Sequence, residues 1–119
     1  MGVRAVYVSH PEYEPLNFSI ERQRQLADAG AYIEHVMACH LPFWFPADRE
    51  LYWSAAQVWE AIEAVGPERT ILSSDLGMIH GPTPTDGLRQ FIQTFQSLGA
   101  GPRELDLMTK ENPARVLEL

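Results

Sequence analysis

RTILSSDLGMIHG, residues 69–81, rises from a short β-branched and aliphatic run, Thr70-Ile71-Leu72, through Ser73 and Ser74 to Asp75, and Gly77 then lets the backbone turn away. The pattern predicts a buried strand, Arg69 to Ser74, that delivers one carboxylate to its C-terminal end. In parallel α/β folds that rim is where ligands bind, because the loops leaving the strand ends line a common crevice. Asp75 is therefore the first candidate for chemistry.

Upstream, two further strands carry polar groups at the same end. Val3 to Ser9 is a near-continuous apolar run, as expected of a strand covered on both faces, and it ends on His10 before Pro11. Ala31 to Val36 (AYIEHV) carries Glu34 and His35 near its end. Side chains alternate along a strand, so at most one of these two points toward a site. Helices separate the strands. Ser19 is a plausible N-cap for a helix through Ala29, stopped by Gly30. Asp48 is positioned to cap a second, whose apolar positions Leu51, Ala55, Val58, Ile62 and Val65 form one stripe. After the loop Leu76 to Pro84, Thr85 or Asp86 starts a third, with Leu88, Phe91, Ile92, Phe95 and Leu98 inward. Pro102 and Pro113 each suit a first helical turn, the latter behind a capping Asn112, so two short helices are expected as a C-terminal tail.

The order β-α-β-α-β-α plus tail implies parallel pairing and brings His10, Glu34/His35 and Asp75 to one rim. With strands about 4.8 Å apart, the ends of the first and third lie roughly 10 Å apart if the strands follow chain order. A neutral imidazole and a carboxylate suit zinc or a similar divalent ion, and a carboxylate beside metal-bound water can take its proton. The plain structural roles, a loop histidine before proline and an aspartate capping a turn, stand beside that reading on the residues alone. His40 and His80 fall on loops. The run Phe43-Trp44-Phe45, between Pro42 and Pro46, suits packing better than a substrate platform, and Cys39 has no base at a readable spacing.

Composition sets the bounds. With 119 residues, 45% hydrophobic and 21% charged, the chain is expected to form one domain, residues 1–119. A formal charge of -7 with scattered basic residues argues against nucleic acid or an anionic membrane as partner. One cysteine permits no internal disulfide and suits the cytoplasm. No segment approaches the ~20 apolar residues of a membrane span, and the first ten residues carry neither a signal-peptide layout nor a myristoylation motif, so a soluble, unanchored chain is expected.

The segments VYVSHPE, GAYIEH, RTILSSDLG and KENPARVLEL together resemble the C-terminal part of the metal-dependent amidohydrolase superfamily, whose fold is a (β/α)8 TIM barrel. The likeness covers nearly the whole chain and is most specific at the strand ending in Asp75 and at Asn112-Pro113-Ala114-Arg115. It implies that the strands match the sixth, seventh and eighth of the barrel. His10 would then be a metal or substrate ligand and Asp75 a metal ligand and proton shuttle, with zinc as the expected metal and a small molecule as substrate; by position alone, His35 at a strand end and His80 on a loop able to close over the rim are the expected substrate contacts. The family's first-strand His-x-His pair and the ligands of its fourth and fifth strands have no counterpart here. Three βα units cannot close a barrel that typically takes ~250 residues. The expectation is thus a part of a metal-dependent hydrolase, inactive alone and completed by the missing N-terminal barrel portion. The alternatives are a noncatalytic α/β module that forms a homo-oligomer or binds a partner through the open edges of its first and third strands, and a small doubly wound domain with helices on both sheet faces.

Overall fold

The computed structural model describes residues 2–41 and 53–118. Three strands, β1 (Tyr7–Ser9), β2 (Tyr32–Val36) and β3 (Thr70–Ser73), form a parallel sheet in chain order β1-β2-β3. Between them run α1 (Ile20–Asp28) and α2 (Ala55–Val65), and after β3 come α3 (Pro84–Leu98), α4 (Pro102–Asp106) and α5 (Asn112–Leu117). The fold is α/β, as the alternation predicts.

Register assigns the faces. Val8 is level with Ile33, Ile33 with Thr70, and His35 with Leu72. Leu72 packs in the core with Val58 and Ile62 of α2, Phe91 and Phe95 of α3, and Met108, so these helices cover that face. Phe91 and Phe95 meet edge to face at 4.8 Å, within the range favoured by aromatic quadrupoles. α1 lies against α2 and β2. The opposite face carries Tyr7, Ser9, Glu34, Ile71 and Ser73.

Several local expectations change. β1 is shorter than Val3–Ser9, and Val3, Val6 and Tyr7 are 83%, 53% and 54% exposed, so the apolar run is not covered on both faces. Only its last residues have β2 as a neighbour. α2 begins after Ser54 rather than after Asp48, because Ser54 and Gln57 form a reciprocal capping box while Trp53 and Ser54 are themselves non-helical. Asp48, Leu51 and the run Phe43-Trp44-Phe45 lie outside the described residues. Thr83, not Thr85 or Asp86, caps α3, its hydroxyl accepting the Asp86 N–H, and Leu98 is exposed rather than inward.

The tail differs most. A π-helical turn, Leu107–Glu111, joins α4 to α5. Its wider ladder suits the approach to Pro113, which has no N–H and crowds the preceding turn. Asn112 is not a cap. It is fully buried with helical backbone, and its Nδ2 donates to the carbonyls of Pro67 and Thr70, both at 2.7 Å. The tail is thereby fastened to the start of β3, whose outer edge is not free there.

Candidate active site

The C-terminal rim of the sheet collects the chemistry-bearing residues because each parallel strand ends there. The His10 N–H donates to the Glu34 carbonyl at 2.8 Å, which seats His10 directly beyond β1. Its backbone is left-handed, φ 38°. Asp75, two residues past β3, is also left-handed, at φ 47°. Neither residue is glycine, so each conformation carries a local cost that the surrounding fold holds in place; such outliers concentrate at functional sites. The His10 ring meets Tyr13 edge-on at 5.4 Å, and its Nδ1 is buried with no hydrogen-bond partner among the described residues. Asp75 is exposed, and no hydrogen bond or ion pair holds its carboxylate among the described residues.

His35 is fully buried on the face covered by the helices, level with Leu72, and not on the face that carries Glu34. Its Nδ1 lies 3.0 Å from Oε2 of Glu12. Glu12 was not legible as a site residue: it follows His10-Pro11 in a polar loop, where a carboxylate normally faces water, yet it is only 3% exposed. Burial pushes its carboxyl upward in pKa, but the charge and hydrogen bond of His35, its own backbone N–H and the nearby His40 outweigh burial and hold it below the ordinary glutamate value. Glu12 Oε1, His35 Nε2 and His40 Nε2 are buried without partners among the described residues.

His40 ends the 3-10 turn Met37–His40 that follows β2, with its ring 5.3 Å from Phe91. Burial lowers its pKa, against the pull of Glu12. In the same turn the Cys39 thiol is pushed up to about 12, chiefly by burial and then by the negative charges of Glu12 and Asp75, which makes it a poor nucleophile. His80 sits in an exposed turn. Thus Glu12 and His35 are buried together beneath the rim, the half-buried Cys39 and His40 feel the Glu12 charge, Cys39 also feels that of Asp75, and His80 stands apart in solvent.

These residues do not make a metal centre by themselves: among the described residues no group of three or more His, Cys, Asp or Glu is disposed to hold a metal ion. Nor is any helix among them long and apolar enough to cross a membrane. The architecture defines an α/β protein with a parallel three-stranded sheet and a polar C-terminal rim. Comparison with protein-family models, curated proteins and solved structures returns no match.

Proposed function

We propose that this chain is the C-terminal portion of a metal-dependent, cytoplasmic hydrolase of the amidohydrolase type, acting on a small molecule and incomplete alone. The observation that carries the reading is the placement of His10 and Asp75 at the same end of parallel strands, each in left-handed backbone. α2 and α3 packed side by side on the Leu72 face resemble the outer helices of a barrel segment, while the tail helix α5 borders the face that carries Ile71. In this reading the Asp75 carboxylate accepts the proton of the attacking water, and the unpartnered Nδ1 of His10 is a ligand atom. Zinc, with most of its donors supplied from outside the chain, would lower the pKa of that water. His35 serves substrate only from behind the sheet, through atoms that the Glu12 contact leaves free, and His80 by closure of its loop.

The test begins with the coding DNA upstream of Met1, which should encode a strand ending in His-x-His. The chain extended by that segment and loaded with Zn2+ should hydrolyse members of an ester, amide and lactone panel, and Asp75→Asn should lower kcat by at least about a thousandfold, within the contribution of activated water and proton transfer. No upstream His-x-His, or hydrolysis by the 119-residue chain alone, overturns the proposal.

A second reading, a noncatalytic module that self-associates, is favoured by one observation, the exposed apolar residues Val6 and Tyr7 at the outer strand β1.

A further inference from the structure

On the side of the sheet that carries Glu34 and Ile71, a cavity of about 350 Å3 opens between the strands, α3 and the C-terminal tail. Its walls include Ile71 of β3, Leu88 of α3, and Pro113, Val116 and Leu117 of α5. Glu34 reaches it from β2, on the face shared with Ser9 and Ile71. Among the described residues no lysine, arginine or histidine lines it. The Glu34 side chain is half-buried, and no hydrogen bond or ion pair to it exists among the described residues. Glu21, Asp86, Asp106 and Glu111 are by contrast taken by arginine or lysine, and Glu12 by His35, while the unpaired Asp75 stands exposed to water.

We infer that this cavity is a binding site for a small organic ammonium ion, with the cationic head on the Glu34 carboxylate and the hydrocarbon part against Ile71, Leu88 and Val116. The argument is one of complementarity. A carboxylate that has lost part of its hydration is offset only by an opposite charge or by hydrogen-bond donors; the lining hydroxyls of Ser73 and Ser74 supply donors but no charge, and the Thr109 hydroxyl donates to the Leu105 carbonyl instead. The apolar remainder of the wall gains from covering hydrocarbon and gains nothing from a bare metal ion. The volume lies at the small end of the range for ligand pockets, which limits the occupant to a short-chain amine. An anionic ligand is excluded by Glu34 and by the overall charge of -7. The site is separate from the metal-dependent reading: it uses neither His10 nor Asp75, and it lies within the described chain.

The probe is n-butylammonium, with butan-1-ol as the neutral analogue of the same shape. Both are titrated into the 15N-labelled 119-residue protein while backbone amide shifts are followed. The ammonium is expected to shift the amides of Ile71, Ser73, Leu88 and Val116, and Glu34→Gln to weaken its binding about tenfold, the worth of one charge-assisted contact. The alcohol should bind weakly and equally to both proteins. Leu117→Trp, at an exposed position where folding is safe, narrows the mouth and should weaken the ammonium while leaving Glu34 intact. Equal binding of ammonium and alcohol, full affinity in Glu34→Gln, or shifts confined to other residues overturns the inference, as does the absence of any shift. Ammonium binding by a chain whose extended form never hydrolyses anything sinks the hydrolase proposal alone, and hydrolysis without ammonium binding sinks only this one.

Discussion

Glu12 and His35 meet at 3.0 Å with almost no access to water, and that contact has a calculable consequence. Removing one member of a fully buried hydrogen-bonded pair leaves the other unsatisfied, so Glu12→Ala is expected to destabilise the fold by roughly 3 kcal/mol. Glu12→Gln, which keeps an acceptor for Nδ1–H but loses the charge, should cost about 1–2 kcal/mol. Urea unfolding of the three proteins at neutral pH measures both, and equal stability of all three would show that the pair contributes nothing. The lowered pKa of Glu12 adds a pH signature. Because the folded state holds this proton less tightly than the unfolded chain, whose value is near 4.5, the stabilisation is complete above that value and disappears as pH falls through the lower folded one. Glu12→Gln should therefore flatten the acid limb of stability against pH. An unchanged acid limb would assign the loss to other groups.

At the scale of elements, the order and direction of the strands were readable because strand-helix alternation leaves few topologies. What escaped the sequence depended on neighbours distant in the chain. Asn112 before Pro113 has the local signature of an N-cap, but burial against β3 and two carbonyls at 2.7 Å decide otherwise. Val3 and Val6 read as core because the run is apolar, and they are exposed because no element among the described residues covers them. Of the candidate site, His10 and Asp75 were legible as strand-end residues, whereas Glu12 was hidden by its polar loop. Gly87 shows how α3 bears on that rim. A Cβ placed there comes within 2.0 Å of Cδ1 of Leu76, the residue following Asp75, so the helix accepts the Leu76 side chain only where it has none of its own. Gly87→Ala gains about 1 kcal/mol of helix propensity and loses a similar amount as Leu76 is displaced. Stability should therefore change by less than about 1 kcal/mol, while the amide resonances of Asp75 and Leu76 move. Unmoved Asp75 and Leu76 resonances would show that the helix does not set the loop.

For the whole molecule, the two sheet edges are not equivalent, and on the self-associating reading this asymmetry sets where association would begin. Asn112 and the tail occupy the start of the β3 edge, which shortens one of the two open edges expected from the strand order. On the other side, Tyr32 N–H donates to the Val6 carbonyl and His10 N–H to the Glu34 carbonyl, so the even residues of this segment face β2. Tyr7 and Ser9, between them, aim their backbone groups outward. That edge carries no lysine or proline from Val6 to Ser9 and is flanked by exposed Val3 and Val6, which is the chemistry that recruits another strand. A twofold pairing of β1 with β1 of a second copy satisfies both sets of backbone groups, against the repulsion of two chains that each carry a formal charge of -7. The expected outcome in sedimentation equilibrium is a concentration-dependent rise above the 13.5 kDa monomer mass, stronger at high salt, where that repulsion is screened. Val6→Lys, at an exposed position, should return the protein to monomer at every concentration without loss of thermal stability. A wild-type chain that stays monomeric into the high micromolar range at high salt would leave the β1 edge unpaired in solution and sink the self-associating reading.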